Sequence, residues 1–341
     1  MTSKIIFVFY FNFGHHVGFG HFMRCQTLLR FFQKKKNKCF FCDINNSFID
    51  KEILKKYKIN YISLFQLKKK YNNFKKVLIV DDYQISNKKL VFLNKIFPNV
   101  VRFDDSAQRQ IKADIVVNNN LGVKKRHYKN AFFHKLFIGP KYSLIRDEIK
   151  RIKHRPKKNL VLITFGMSRM NKLVLSILNV ILKKFTIFEE QFKIYLFINA
   201  KKRDLAKLIN NYNKLDLNIF KPSKLFYKIL TQCDYIISTP SVSFVEASSR
   251  GIPSILIQTD QNQVRNFIHL KKFKILHCYN SLKTLRNIFQ NSLKNYSSYY
   301  FKKKISCNVK KLFNINGDKL LGREILNYYD EKFTKNFNKK Y

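Results

Sequence analysis

A histidine in a glycine-containing segment near the start of the chain is the first residue whose setting suggests chemistry. His21 follows Gly18 and Gly20 and precedes Arg24. The apolar run at 5–11 predicts a buried strand before this segment, and the apolar spacing after it predicts a helix. Ligands bind where a strand leads through a glycine turn into a helix, because free N–H groups and the positive helix end lie there. His21 is therefore a candidate functional residue, with a polar loop histidine at the helix start as the alternative.

Acidic side chains end two further apolar runs in the first half of the chain. Asp81, Asp82 and Tyr83 end one run, and the Asp pair at 104–105 ends the next. Continuous apolar runs are typical of parallel strands that are covered on both faces, and the carboxyl ends of such strands face the ligand. We therefore expect Asp81, Asp82 and Tyr83 to lie at the same edge of the sheet as His21.

The second half of the chain repeats this arrangement with glycine and hydroxyl residues. One apolar run ends in a turn at Gly166 before a predicted helix at 171–185. Another ends in the hydroxyl-rich segment 238–243 before a predicted helix at 244–250. Strands and helices that alternate in this way are typical of parallel α/β sheets. The sequence thus predicts an α/β protein with two doubly wound, Rossmann-like domains.

A charged, proline-containing segment at 150–158 separates the two halves and lacks an apolar period. We place the domain boundary there, with an N-terminal domain at 1–150 that carries the His21 segment and a C-terminal domain at 151–341. A chain of 341 residues is long enough for two ordinary domains, so we expect a cleft between them. The spacing near 320–328 predicts a terminal helix, with packing back on the first domain as one arrangement.

The chain is strongly basic, with 67 Lys and Arg against 21 Asp and Glu and a formal net charge of +46. Such a charge ordinarily indicates nucleic acid or an anionic membrane as a partner. The lysines, however, run from Lys4 to Lys340 among abundant Asn, Ile, Phe and Tyr, a mixture typical of A- and T-rich coding sequence. Coding bias with a solvated surface and a real attraction to anions, such as a phosphate-bearing substrate, both stay open. We expect no specific nucleic-acid partner.

The spacing of the cysteines and the hydropathy of the chain indicate the cellular compartment of the protein. The six cysteines lack the spacing of a secreted disulfide framework. Cys39 and Cys42 resemble half a zinc site, but no second pair completes it, and we favour buried thiols on a strand over a metal site. No run reaches the ~18 apolar residues of a spanning helix, and the segment at 5–13 lacks the leader and cleavage site of a signal peptide. We expect a cytoplasmic protein without a membrane span.

Segments in the same order along nearly the whole chain resemble one family of enzymes. The most specific are the segment from Gly18 to Cys25 and the segment Gly139-Pro140-Lys141-Tyr142. Further matches lie at 81–83, 104–105, 114–118, 165–166, 243–246, 251–253, 262–263 and 316–318. They resemble the UDP-2,4-diacetamido-2,4,6-trideoxy-β-L-altropyranose hydrolases of pseudaminic acid synthesis, relatives of the GT-B glycosyltransferase that adds N-acetylglucosamine in peptidoglycan synthesis.

The resemblance implies a GT-B-like fold and a UDP-sugar substrate, with no cofactor and no obligatory metal. Water attacks the anomeric carbon in this family, which yields free sugar and UDP. His21 corresponds to the base that holds this water, and Tyr83 to a catalytic-site tyrosine near the sugar. Glu246 corresponds to an acceptor for ribose hydroxyls. The substrate-binding residues implied are Gly20, Arg24, Gly166, Ser168, Ser241, Val242, Ser243, Glu246, Asn262 and Gln263.

These assignments have structural alternatives. Tyr83 could be a surface aromatic after a strand, Asn262 a turn residue, and Glu246 an acid in the first turn of a helix. Arg24 could brace its turn instead of touching phosphate.

The chain departs from the family pattern on the nucleotide side. Met167 stands where glycine is usual, Arg169 where Asp is usual, and Pro240 where a glycine pair is usual; Asp82 replaces a histidine. Two alternative functions follow: sugar transfer to an acceptor by a GT-B glycosyltransferase, or anion binding by an inactive relative.

Overall fold

The structure of the protein is a computed structural model that divides into two compact units. It describes residues 5–11, 20–42, 55, 58–82, 85–107, 111–169, 171–188, 190–221, 223–272 and 277–338, with the backbone alone at 87, 167–169, 262 and 336–338. The first unit contains residues 5–11, 21–144 and 316–338. The second contains Gly20 and residues 145–315.

The described residues form strands β1 to β12 and helices α1 to α12, numbered along the chain. The strands are β1 Ile6–Phe11, β2 Lys38–Phe41, β3 Lys76–Asp81, β4 Val100–Phe103, β5 Ile115–Asn118, β6 Lys135–Ile138, β7 Leu160–Arg169, β8 Lys193–Asn199, β9 Asp216–Phe220, β10 Tyr235–Ser238, β11 Ser254–Ile257 and β12 His277–Tyr279. The helices are α1 Gly20–Lys34, α2 Leu64–Tyr71, α3 Asn87–Ile96, α4 Asp147–Lys150, α5 Lys172–Thr186, α6 Lys202–Asn211, α7 Leu225–Gln232, α8 Val242–Ser249, α9 Val264–Lys271, α10 Leu282–Ser297, α11 Tyr299–Lys310 and α12 Gly317–Asn338. Short 3-10 helices lie at Lys125–Tyr128, Pro140–Tyr142 and Gln261–Gln263.

The first unit is built on one parallel sheet with the strand order β2-β1-β3-β4-β5-β6. Its central strands are buried along their whole length because helices cover both faces. On one face, Phe32 of α1 stacks on Phe7 of β1, with ring centroids 3.8 Å apart. On the other, Val8 joins a buried cluster with Leu67 of α2 and Leu93 of α3. Neighbouring residues of β1 thus face opposite helical layers.

The last helix, α12, packs within the first unit. A Cβ added to Gly317 would lie 2.5 Å from both the N and the O atom of Ser143, so the two backbones are in close contact. Farther along α12, Tyr329 and Lys332 donate hydrogen bonds to the buried carboxylate of Asp114 at 3.1 and 2.7 Å. Burial, together with the nearby Asp114, raises the pKa of Tyr329, so its hydroxyl remains a donor. The helix is therefore an integral layer of this unit.

The chain enters the second unit before the charged segment at which we predicted the boundary. Arg146 is bound by Glu246 and Tyr227, both of the second unit. Residues 145–150 belong to the second unit, and the Arg146 pairing is one of their contacts within it.

The second unit is also built on one parallel sheet, with the order β12-β11-β10-β7-β8-β9. Helix α5 covers it through Leu178, Ile181 and Leu182, which are all buried. The two edge strands, β9 and β12, were not predicted. Both are only partly buried, so neither needs the continuous apolar run that identifies a central strand.

Several sequence predictions concern single elements. The strand predicted at 39–44 is present as β2, and the buried thiols of Cys39 and Cys42 confirm its interpretation. The helix predicted at 47–58 falls mainly outside the described residues. Among the helices that the structure describes, none is long and apolar enough to cross a membrane. The described residues also include no group of three or more His, Cys, Asp or Glu side chains arranged as a metal site.

Candidate functional site

The candidate site of the first unit lies at the carboxyl ends of β1 and β3. These strands are neighbours, and the chain leaves β1 toward β2 on one side and β3 toward β4 on the other. Open parallel sheets bind ligands at such a switch point, because the diverging connections leave a crevice above the strand ends. His21 lies in the first turn of α1, and Asp81 is the last residue of β3. The helix already begins at Gly20, so His21 is helical instead of lying in the predicted turn.

His21 and Asp81 form a buried hydrogen-bonded pair. His21 Nδ1 lies 2.6 Å from Asp81 Oδ1, and the Asp81 side chain is fully buried. Burial alone would raise the pKa of Asp81, but Arg24 and His21 offset this and hold the pKa well below its usual value. Asp81 is therefore an ionised carboxylate that only accepts hydrogen bonds, so Nδ1 of His21 carries the proton. The neutral ring then has its lone pair on Nε2, as a general base requires.

Arg24 joins this pair to a second carboxylate. Its Nε donates to Asp81 Oδ2 at 2.5 Å, and its Nη2 donates to Asp81 Oδ1. Its Nη1 donates to both carboxylate oxygens of Asp105, at 3.0 and 2.8 Å. The guanidinium also lies over the ring of Phe103, 4.9 Å from the centroid. Arg24 was predicted either to touch phosphate or to brace its turn. These contacts are those of a bracing residue.

The loops after β4 and β5 support Asp105. The Asp105 carbonyl accepts a hydrogen bond from Asn120 at 3.5 Å. Tyr128 donates to the neighbouring Asp104 carbonyl at 3.0 Å and accepts from Asn118 at 2.9 Å. Neither Asp81 nor Asp105 was among the predicted site residues. The acid at the end of an apolar run did predict that Asp81 lies at the same edge of the sheet as His21, and it marks Asp105 in the same way. It did not predict that these carboxylates pair with His21 and Arg24.

Tyr83, the second predicted catalytic residue, lies outside the described residues. Its neighbour Asp82 is buried and accepts a hydrogen bond from the Tyr10 hydroxyl at 3.3 Å. Lys89 in turn donates to this hydroxyl at 3.1 Å. Asp82 thus takes part in a network with Tyr10 and Lys89, whereas Asp81 binds His21 and Arg24.

The second unit has a switch point of its own, between β7 and β10. The chain leaves β7 toward β8 and β10 toward β11, on opposite sides of the sheet. Gly166 and Ser168 lie within β7, which continues to Arg169 where a turn was predicted. Gly166 has φ of +81°, and an added Cβ would meet no atom within 4 Å, so the backbone conformation and not space calls for glycine there. The side chain of Ser168 is not among the described atoms.

The predicted phosphate-binding segment forms the start of α8, directly after β10. Ser241 is the N-cap residue, and Val242 and Ser243 open the helix. The Ser241 hydroxyl lies 2.7 Å from that of Thr239 and makes no capping bond to the helix. The first N–H groups of α8 therefore have no side-chain acceptor from their N-cap residue, a geometry that suits an anion at the positive helix end.

Glu246 lies in the second turn of α8 and is almost completely buried. Arg146 donates to both of its carboxylate oxygens, through Nε to Oε1 and through Nη2 to Oε2 at 2.5 Å. Burial alone would lower the pKa of Arg146, but Glu246 more than offsets this and raises it. Tyr227 accepts from Arg146 and lies under its guanidinium. The alternative of a first-turn acid is wrong, because Glu246 lies beyond the first turn.

The remaining predicted residues lie near the end of β11. Gln263 ends the 3-10 helix Gln261–Gln263 and accepts a hydrogen bond from the Thr259 N–H at 2.9 Å, which fixes this turn. Asn262 is the middle residue of the same helix, and its side chain lies outside the described atoms.

Comparison with known sequences finds a distant relative but no matching family. No family model matches the chain. A curated relative, an uncharacterized protein of Methanocaldococcus jannaschii, is 28% identical over 286 residues, or 76% of this chain. The match spans only 57% of that relative's length.

Solved structures resemble the chain over nearly its whole length. MurG of Acinetobacter baumannii has a TM-score of 0.64 at 11% identity, covering 95% of this chain and 99% of its own. UDP-GlcNAc 2-epimerase of Neisseria meningitidis, solved with UDP-GlcNAc, has a TM-score of 0.61 at 12% identity, covering 95% and 100%. A glycosyltransferase of Rickettsia africae has a TM-score of 0.60 at 13% identity, covering 97% and 99%. These likenesses confirm the predicted GT-B fold with two Rossmann-like units, a fold shared by enzymes that use UDP-sugars.

Proposed function

We propose that the protein is a nucleotide-sugar hydrolase in which His21 activates water for attack at the anomeric carbon. The observation that carries the proposal is the buried His21–Asp81 pair at the switch point of the first sheet. A general base needs a fixed tautomer with an available nitrogen lone pair, and the ionised Asp81 provides that tautomer.

The reaction is a single displacement. Nε2 of His21 takes a proton from water as the water oxygen forms a bond to the anomeric carbon. The bond from this carbon to the diphosphate oxygen breaks, and its electron pair leaves with the nucleoside diphosphate. The products are the free sugar and the nucleoside diphosphate. Because the diphosphate is already a good leaving group, the protein mainly has to align water with the sugar and stabilise charge on the phosphates.

The second unit supplies the phosphate-binding groups in this proposal. The backbone N–H groups of Val242 and Ser243 open α8, where the positive helix end favours an anion, and the Ser241 hydroxyl lies beside them. The Ser241 N–H itself donates to the Thr239 carbonyl at 2.7 Å. Gly166 leaves open space at its missing Cβ, since no atom of the described residues lies within 4 Å of that position. Glu246 would take the ribose, as the family resemblance implies, by exchanging a hydrogen bond now made by Arg146.

The finer identity of the substrate follows from the sequence resemblance. The segment from Gly18 to Cys25 and the segment 139–142 resemble the hydrolases of pseudaminic acid synthesis, whose substrate is a UDP-activated diacetamido-trideoxy sugar. We therefore propose UDP as the leaving group, a sugar of this class as the substrate, and Tyr83 and Asn262 as contacts to it. No cofactor or metal takes part in the proposed reaction, and the enzyme would act in the cytoplasm.

A screen for release of UDP tests the proposal. Purified protein is incubated with a panel of UDP-sugars, including UDP-2,4-diacetamido-2,4,6-trideoxyhexoses, and products are identified by mass spectrometry. We expect UDP and free sugar in equal amounts without any acceptor, and a loss of roughly 10²- to 10⁴-fold in rate for His21→Ala. His154→Ala, a histidine of the second unit that contacts the Cys233 carbonyl, is the matched control.

Two outcomes would contradict the proposal. Full activity of His21→Ala would remove the base from the mechanism. UDP release that requires an added acceptor would identify the protein as a glycosyltransferase, the function of several proteins with this fold.

A further inference from the structure

Arg24 is a buried cation that the proposed reaction steps do not use. Three of its nitrogens donate to the carboxylates of Asp81 and Asp105. The planar fork by which arginine clamps a phosphate is thus already directed at protein carboxylates. The role of Arg24 must therefore lie in what it does to those carboxylates.

The contacts of Arg24 define the plane of the Asp81 carboxylate. Nε and Nη2 reach the two different oxygens of Asp81, which is the bidentate geometry, and His21 Nδ1 shares one of these oxygens. Rotation of the carboxylate would break all three bonds together. Asp105 and the Phe103 ring hold the guanidinium from its other sides, so Arg24 is itself fixed.

We propose that Arg24 is the positioning residue of this site: by bridging Asp81 and Asp105 it fixes the Asp81 carboxylate and, through it, the tautomer and orientation of His21. The kinetic consequence of this inference rests on the proposed function. Its structural part rests only on contacts within the first unit.

The charges of this network predict how loss of Arg24 should affect the protonation of His21. With neutral His21, the one cation Arg24 and the two carboxylates Asp81 and Asp105 sum to one negative charge, which protonation of His21 cancels. Loss of the Arg24 charge alone leaves Asp81, which bonds the ring, and Asp105 without the cation that they share, and this favours imidazolium. The titratable side chains at the start of α1 and at the carboxyl ends of β3 and β4 are Arg24, Cys25, Asp81, Asp82, Asp104 and Asp105. The same three elements also carry Arg30, Lys34, Lys76 and Arg102. Burial, with Asp81 nearby, raises the pKa of Cys25, so this thiol adds no charge.

Three variants separate positioning from charge. Arg24→Lys keeps the charge but loses the planar fork, and Arg24→Gln with Asp105→Asn removes both partners and so keeps the net charge of the network. Arg24→Gln alone changes the charge and is the variant at greatest risk of misfolding. Lys34→Gln, which removes one exposed charge at the other end of α1, is the matched control.

The first readout is the ¹⁵N spectrum of the His21 ring in ligand-free protein, assigned by its loss in His21→Ala. We expect one tautomer protonated at Nδ1 in the wild type and in Lys34→Gln, and a mixture of tautomers in Arg24→Lys and in the double variant. The second readout is the rate of UDP release against pH. We expect kcat to fall roughly 10- to 100-fold in both variants with little change in KM. Arg24→Gln should move the acidic limb of the profile to higher pH.

The inference is overturned if folded Arg24→Lys and the folded double variant keep the wild-type tautomer and kcat and lose stability alone. The two proposals fail separately, because the ring spectrum needs no turnover. A wild type without UDP release contradicts the proposed function, whereas the tautomer of His21 still decides the role of Arg24.

Discussion

Asp81 is the residue on which the first site depends, because two charged or chargeable side chains reach it from α1. It ends β3 fully buried, accepts from His21 and is held ionised chiefly by Arg24. A buried carboxylate is costly unless it is paired and hydrogen-bonded, and here both conditions are met within one turn of a neighbouring helix. Its contribution to stability should therefore depend on pH in a defined direction.

Asp81→Asn tests this dependence. The pKa of Asp81 in the folded protein lies well below the unfolded value of about 3.9, so its charge stabilises the fold fully above that value. This stabilisation is lost as the pH falls below about 4 toward the folded pKa. We expect Asp81→Asn to lower the free energy of unfolding by roughly 3 kcal/mol at pH 7 and by less at pH 3, measured by urea denaturation.

Asp216→Asn is the control for this measurement. Asp216 forms an exposed pair with Lys193 at 3.6 Å, so its loss should change the free energy of unfolding by less than about 1 kcal/mol. A difference between wild type and Asp81→Asn that is the same at pH 7 and pH 3 would show that the Asp81 charge does not stabilise the fold.

The central strands of the first sheet were predictable because their apolar sequence reflects their burial between two helical layers. β1 and β3 are continuous apolar runs, and each has helices on both faces, so hydropathy alone located them and the edge at which Asp81 lies. The edge strands β9 and β12 carry no such run because they are covered less. The Arg24–Asp105 bond was beyond prediction, since it depends on how α1 sits over β4, and no local pattern encodes that packing.

Helix α12 shows what a single glycine does for the packing of an element. Gly317→Ala would place a Cβ 2.5 Å from the Ser143 backbone and 2.8 Å from the Lys141 carbonyl oxygen. Alanine ordinarily stabilises a helix by up to about 1 kcal/mol relative to glycine, but this contact forces backbone apart. We expect Gly317→Ala to lower the free energy of unfolding by roughly 1–3 kcal/mol, measured by urea denaturation.

Lys319→Ala, two residues later and exposed on the same helix, should leave the free energy of unfolding nearly unchanged. Equal stability of Gly317→Ala and wild type would mean that the start of α12 does not pack closely on Ser143.

The described residues form two parallel sheets. The sheets have the same kind of switch point, but the chain segments that build the two units are arranged differently. Each sheet has a switch point, and the sequence predicted residues at both, His21 in the first unit and Ser241 in the second. All strands of the second unit lie in the continuous stretch 145–315, whereas the first unit is completed by α12. Contacts of Tyr329 and Lys332 with Asp114 show that this completion buries charge as well as apolar surface.

Fragments of the chain test this difference. We expect the fragment 145–315 to give a dispersed NMR spectrum and a cooperative thermal transition, because its sheet and helices are complete. The fragment 1–144 should lack such a transition, since the Asp114 carboxylate would lose both α12 partners.

A peptide of residues 316–341, added in excess, should restore structure to the fragment 1–144 as a ligand that binds only the folded state. A cooperative transition of 1–144 without the peptide would contradict this expectation.

The place of α12 in the first unit also sets an order of events during synthesis. Domains generally fold as units while the chain emerges from the ribosome, with the N-terminal domain first. Here the second unit has all of its residues once Ile315 has emerged, but the first unit still lacks Gly317 and the residues that bind Asp114. The unit that is begun first is therefore the last to have all of its residues available for folding.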